Sequence, residues 1–199
     1  MKPLQSEPKM ADIFSFLNAL SGFIGICYIQ NISLAIKFIL ISALMDGLDG
    51  FFARRKGESQ FGKELDSLAD LVSFGILPAL IIFKMGFAYA SIPYLLASMY
   101  RLARFNVLSL DDFLGLPTTA TALILACLIA LKIPYLNVIA LILSALMISK
   151  FRYVKVKNRK IMLLVGVVIL FSIVWEIFYY ILLVLLIAYV ISPLIKVRL

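Results

Sequence analysis

Residues 32–83 read I-S-L-A-I-K-F-I-L-I-S-A-L-M-D-G-L-D-G-F-F-A-R-R-K-G-E-S-Q-F-G-K-E-L-D-S-L-A-D-L-V-S-F-G-I-L-P-A-L-I-I-F. Two apolar runs, 32–45 and 65–83, flank a short polar connection, and four aspartates stand at the ends of the runs. A helix needs about 20 mostly apolar residues to cross the hydrocarbon core of a bilayer, somewhat fewer when packed in a bundle. The runs are continuous rather than alternating, so they are helical spans and not strands of a membrane barrel. Gly57, Ser59 and Gly62 suit a turn between antiparallel helices.

Six further apolar stretches extend this pattern in both directions: 13–29, 89–99, 118–131, 136–148, 161–175 and 177–195. Glu176 divides the last two, which together are too long for one crossing. The whole chain is 63% apolar and 15% charged, against about 45–50% and 25% in soluble domains. The expected fold is therefore an all-α integral membrane protein, a polytopic bundle of about eight transmembrane helices forming one domain over residues 1–199. Cys27 and Cys127 fall inside apolar runs and serve packing. The first stretch lacks a small-residue cleavage site and reads as a span rather than a leader.

The net charge of +8, with no histidine, could suggest nucleic acid, but the apolar excess points to lipid and no nucleic-acid partner is expected. With eight spans and an inside N-terminus, sixteen of the 19 basic residues lie on one side, while Lys84 and Lys132 lie on the other. This asymmetry places both termini and the 46–70 connection on the cytoplasmic side of the cell membrane. The basic stretch 150–160 is either part of that orientation signal or a binder of anionic headgroups.

Acidic residues inside spans cost about 2.5–3.5 kcal/mol each even on the most lenient scale, so they are normally retained for a use. Asp46 and Asp49 stand three apart, and Asp66 and Asp70 four apart, so each pair shares a helix face. Folding the connection about Glu58 brings all four carboxylates to similar depth on two facing helices. Four anions so placed repel one another unless divalent cations join them. Hard oxygen donors suit Mg²⁺, Mn²⁺ or Ca²⁺, and the lack of histidine argues against zinc. Pairing with Arg54, Arg55 or Lys63 is the alternative, weakened because loop cations have water available. Gly50 and Ala53 continue the stripe as a shallow groove, Gly62 precedes Asp66 by one turn, and Arg54 suits bidentate contact with phosphate. Metals, groove and arginine together describe a site for a phosphorylated ligand, which at a membrane surface could itself be a lipid.

These residues resemble a known signature. D-G-L-D-G-F-F-A-R, seven residues, then G-K-E-L-D-S-L-A-D is similar to the CDP-alcohol phosphatidyltransferase motif D-x-x-D-G-x-x-A-R…G-x-x-x-D-x-x-x-D. All eight fixed positions are matched, by Asp46, Asp49, Gly50, Ala53, Arg54, Gly62, Asp66 and Asp70. The resemblance implies a membrane enzyme with a six-helix core, often a homodimer, that moves a phosphatidyl group from a CDP-activated lipid to an alcohol and releases CMP. Helices over about 161–195 would then be peripheral. It further implies that the four aspartates bind one or two divalent metals, Mg²⁺ or Mn²⁺, with Asp70 as general base. Asp46, Gly50, Ala53, Arg54 and Gly62 would line the CDP-lipid pocket. The chemistry is consistent: attack on a diphosphate needs charge neutralisation on the transferring and leaving oxygens, and a carboxylate is the natural base where histidine is absent.

The acceptor is less constrained. R-L-A-R-F-N at 101–106 followed by F-L-G-L-P at 113–117 resembles the phosphatidylserine synthase branch, as does L-M-I-S-K-F-R-Y at 146–153 more weakly. On that resemblance Arg101, Arg104 and Asn106 would hold L-serine. Electrostatics alone admits other acceptors, such as glycerol 3-phosphate, an inositol derivative or an aminoalcohol, and also admits arginines that only anchor the helix end to lipid phosphates. Ser15 and Asn18 share a face of the first span behind Asp12; they either contact the nucleotide or form an interhelical hydrogen bond. A cation transporter built on the aspartates is disfavoured, since one cluster beside a basic loop offers no path across the membrane.

Overall fold

A computed structural model describes residues 10–56, 60–108, 113–153 and 158–195. The two longest apolar runs of the opening stretch become α2 (Ile32–Lys56) and a rod that starts as α3 (Gln60–Asp70). That rod passes through a π-helical turn, Leu71–Ile76, and continues unbroken as α4 (Leu77–Lys84). Around them stand α1 (Met10–Cys27), α5 (Ala88–Val107), α6 (Thr118–Ala130), α7 (Leu136–Ile148), α8 (Arg159–Ser172) and α9 (Ile177–Ile195). Taking α3 to α4 as one rod, the described residues form eight, one for each apolar stretch. Phe61–Lys84 and Ile177–Leu194 are long and apolar enough to cross a membrane, while Asp12–Cys27, Thr118–Ala130 and Leu136–Ile148 are apolar but shorter. The apolar part of the second run stops at residue 45, and α2 continues as expected through both aspartates, reaching Lys56 because A-R-R-K holds good helix formers and no breaker.

Among the described residues the one departure from helix, turn and coil is a short antiparallel pairing of β1 (Phe113–Leu114) with β2 (Arg152–Tyr153), Phe113 opposite Tyr153 and Leu114 opposite Arg152. It ties the α5–α6 connection to the α7–α8 connection.

α6 is the central helix, buried at Thr118 and from Ala120 through Leu128. Ile39 and Leu40 of α2, Phe74 of the π turn, Tyr94 of α5, Met147 of α7 and Leu182 of α9 complete the core. The outer faces carry exposed Phe16, Phe23, Leu163, Leu164 and Val184. An apolar exterior over a core that also buries polar groups is the arrangement a lipid solvent favours. α8 packs on α2, and α9 on α6, and these helices add Val168, Ile169, Leu182 and Leu186 to the core.

α2 and the rod that begins as α3 bring carboxylates together as expected, α2 meeting that rod at its π turn and at α4. Among the described residues α2 and α3 make little direct contact; α1 lies against both. Glycines allow this approach. A Cβ at Gly22 would fall 2.3 Å from Ser73 Oγ and 2.7 Å from Ser73 Cα, and one at Gly25 would fall 2.6 Å from Leu77 Cδ2. Ser42 and Ser73 then both donate to the Asn18 carbonyl, at 3.2 and 2.8 Å, pinning three helices at one level.

Candidate active site

Asp46 comes from α2, and Asp66 and Asp70 come from successive turns of α3. Each offers a carboxylate oxygen, and the three oxygens lie within 4.8 Å of one another. Asp46 and Asp66 are half-buried and Asp70 is buried. Directly after Asp70 the helix widens into its π turn, which buries Ser73, Phe74 and Gly75; such insertions recur beside functional groups, where they re-aim the side chains that follow.

Asp49 stands apart from this triad. Three residues along a helix is a rotation about 60° short of a full turn, enough to aim Asp49 at α1, where Ser15 Oγ donates to its Oδ2. Of the two readings left open for Ser15, the structure shows the interhelical hydrogen bond. Asn18 is fully buried and donates through Nδ2 to Asp70 Oδ1 at 3.0 Å, while its own Oδ1 has no hydrogen-bond partner among the described residues.

The opposite side of the triad is furnished by α5, α6 and α9. Thr119 Oγ1 donates to Asp46 Oδ2 at 3.1 Å. Arg101 is buried, donates to Thr118 Oγ1 at 3.2 Å, and interacts electrostatically with Asp70, Asp46 and Asp66, and with Tyr189 of α9. The repulsion of Asp70 by Asp46 and Asp66 is thus opposed by a buried cation and by the Asn18 amide. Thr118, Thr119 and Tyr189 were not singled out from sequence; paired threonines directly after L-P at a helix start were the available signal.

Arg104 and Asn106 are both engaged by other parts of the chain. Arg104 donates to the carbonyls of Leu114, Met147 and Ile148 at 2.6, 3.0 and 3.1 Å, latching the α5–α6 connection to the end of α7. Asn106 donates to Glu64 Oε2 at 2.7 Å and accepts from Ser67 Oγ at 2.8 Å, so it clasps α3 to the end of α5. Lys63 strengthens that clasp through the carbonyls of Phe105 and Asn106, both at 3.3 Å. Gly50 and Gly62 are half-buried near the triad's helices. The side chains of Ala53 and Arg54, and residue 58 about which the hairpin was folded, lie outside the described residues, as do 154–157 of the basic stretch.

The donor set fits a hard divalent cation. Three carboxylates from two helices, without histidine or cysteine, are the ligands such ions prefer. With all three oxygens within 4.8 Å of one another, small side-chain adjustments suffice to bring them onto one ion at metal–oxygen distances of about 2.1–2.4 Å.

An acidic, metal-competent triad set in a helical bundle with an apolar exterior defines a class: a membrane-associated protein with a site for a hard divalent cation. The chain belongs to the CDP-alcohol phosphatidyltransferase family, whose model matches residues 9–149. Among curated proteins it is 38% identical over 157 residues to a CDP-diacylglycerol–serine O-phosphatidyltransferase of Methanocaldococcus jannaschii, covering 75% of this chain and 76% of that one. It is 31% identical over 166 residues to the Bacillus subtilis protein of the same name, covering 76% of this chain and 92% of that one. An archaetidylserine synthase of Methanothermobacter thermautotrophicus is 39% identical over 134 residues, covering 61% of this chain and 58% of that one.

Proposed function

We propose that this chain transfers a phosphatidyl group from a CDP-activated lipid to the hydroxyl of L-serine and releases CMP. Family membership supports the reaction class, and the relatives named for serine transfer support the acceptor. The observation that carries the reading is the convergence of Asp46, Asp66 and Asp70 within 4.8 Å of one another under the field of buried Arg101.

In this reading the serine hydroxyl oxygen forms a bond to the lipid-bearing phosphorus as the bond to the CMP oxygen breaks, and CMP leaves with the electron pair. Asp70 takes the hydroxyl proton. Asn18 holds that carboxylate in orientation from α1. Arg101, the buried cation beside the acids, meets the carboxylate of serine or the charge on the diphosphate. Gly50, Ala53, Arg54 and Gly62 form the groove and phosphate contact for the CDP-lipid. A divalent ion, Mg²⁺ or Mn²⁺, held by Asp46, Asp66 and Asp70 would supply charge neutralisation at the diphosphate. Asp49 joins that set only if it turns from Ser15. The chain as a whole is read as a multi-pass protein of about eight spans, with the site and both termini cytoplasmic, working as a homodimer.

The test incubates purified protein with CDP-diacylglycerol or its ether-linked isoprenoid analogue, Mg²⁺ or Mn²⁺, and one alcohol at a time. CMP release that depends on serine is the expected result. Release only with glycerol 3-phosphate or an inositol derivative would overturn serine as acceptor.

A further inference from the structure

At the opposite end of the bundle from the aspartates, a cavity of about 280 Å³ opens between the start of α2, the end of α6 and the α8–α9 turn. Lys37 lies roughly 14 Å along the α2 axis from Asp46, so this cavity is separate from the acidic triad. Three charged side chains line it, Lys37, Lys132 and Glu176, together with the hydroxyls of Ser33 and Tyr179. Among the described residues none of the three charges is engaged in an ion pair or side-chain hydrogen bond. Lys84, a cation of the same face, is engaged: it donates to the Ile29 carbonyl at 2.9 Å and to Gln30 Oε1 at 2.6 Å.

Lys132 is placed there at a conformational cost. Its φ is +53°, and it sits just past the end of α6, where Ile133 N–H donates back to the Leu128 carbonyl at 2.9 Å. This is the helix-ending position that glycine usually fills, and a Cβ there costs about 1 kcal/mol. A lysine in place of glycine brings a cation to the mouth of the cavity.

We propose that this cavity is a second, non-catalytic site for the headgroup of an amine-bearing phospholipid, phosphoserine or phosphoethanolamine in type. The proposal rests on the membrane-spanning reading of the chain. Two cations and one anion complement a headgroup that joins an anionic phosphate to an ammonium: Lys37 and Lys132 face the phosphate and any carboxylate, and Glu176 faces the ammonium. The volume falls at the lower limit of small-molecule sites, about 300 Å³, so it admits a headgroup and not the chains. Those would lie along the exposed Val174, Ile177 and Ile181 beside it.

Trp175 is the sole tryptophan, adjoins Glu176 and is 52% exposed, so its fluorescence reports on this turn alone. Purified protein in detergent is titrated with dihexanoyl phosphatidylserine, phosphatidylethanolamine and phosphatidylglycerol, and with inorganic phosphate. Saturable quenching or shift with the two amine lipids is expected, at least tenfold tighter than with phosphatidylglycerol. Lys37→Gln with Lys132→Gln should weaken it at least tenfold, Lys37→Arg with Lys132→Arg should retain it, and Glu176→Gln should erase the preference for amines. Because binding is read without turnover, the outcome is separate from that of the transferase assay. No saturable signal, equal affinity for phosphatidylglycerol, or indifference to the double Gln variant would overturn the proposal. Inorganic phosphate binding as tightly as the lipids would overturn the headgroup assignment in favour of a free-anion site.

Discussion

Asn18 of α1 donates through Nδ2 to Asp70 Oδ1 at 3.0 Å, both side chains buried, across 52 residues of sequence. The backbone carbonyl of the same asparagine accepts from Ser42 and Ser73. One residue therefore registers α1 against α2 and the π turn while orienting the acid assigned as base. Asn18 is a positioning residue whose effect passes through Asp70.

Asp70→Asn keeps the shape and the possibility of a bond to Asn18 but removes the proton acceptor. General-base catalysis contributes about 10²–10⁴-fold, so kcat should fall by at least about 10²-fold while CDP-lipid binding persists. Asn18→Ala should lower kcat less, about tenfold, with KM little changed, since the carboxylate loses its fixed partner. Measured kcat, KM and an equilibrium binding assay for CDP-lipid separate the two effects. Wild-type turnover by Asp70→Asn would remove this acid from the mechanism.

Thr119 holds Asp46 from α6 at 3.1 Å. Removing a group that orients a metal ligand typically costs 10–100-fold in metal affinity. Thr119→Val should thus raise the Mg²⁺ or Mn²⁺ concentration for half-maximal activity by about tenfold with little change in rate at saturation. Thr119→Ser should restore it. An unchanged activation curve for the valine variant would show that Asp46 needs no such support.

The two arginines of R-L-A-R look equivalent in sequence and separate in the structure. Arg101 is buried with its charge bearing on the triad, whereas Arg104 is bound to three backbone carbonyls. Arg101→Lys keeps a charge without the planar fork and should raise KM for serine or CDP-lipid at least fivefold in an otherwise stable protein. Arg104→Ala should instead lower the thermal unfolding midpoint and leave the KM of the surviving enzyme within about twofold, as expected for a group outside the site. Kinetic titration beside a melting curve in detergent checks both; a KM effect at Arg104 without loss of stability would return it to the acceptor site.

This contrast shows what the sequence carried and what it did not. Apolar run lengths located all eight rods, because burial in lipid demands continuous hydrophobicity, and helical spacing placed Asp66 and Asp70 on one face. Spacing alone could not tell that Asp49 turns to Ser15, since a 60° offset decides which neighbour it meets and the neighbour comes from another helix. Nor could it reveal how closely α1 packs on the π turn and α4, an approach that Gly22 and Gly25 permit by lacking a Cβ. The resemblance implies an acceptor role for Arg104 and Asn106; that they also hold Met147 and Glu64, supplied by chain more than 40 residues away, was beyond the reach of spacing.

The latch around Arg104 turns on Gly115. Its φ is +79°, and a Cβ there would fall 2.0 Å from the Met147 carbonyl oxygen and 2.6 Å from Arg104 Nη2. Its N–H donates to the Phe151 carbonyl at 2.8 Å, beside the β1–β2 pairing. Gly86 is a built-in control, with φ at +90° and nothing within 4 Å of its Cβ position. Gly86→Ala incurs only the left-handed backbone cost, about 1 kcal/mol, or a fall of about 2–4 °C in unfolding midpoint for a chain of this size. Gly115→Ala incurs the same cost plus overlap with a carbonyl that cannot move without breaking an arginine bond, about 1–3 kcal/mol more. Its midpoint should fall by roughly 4–16 °C, and Arg104→Ala should add little to that loss because the latch is already open. Equal melting of the two alanine variants, or full additivity with Arg104→Ala, would show that the contact between residues 104, 115 and 147 does not hold the connections together.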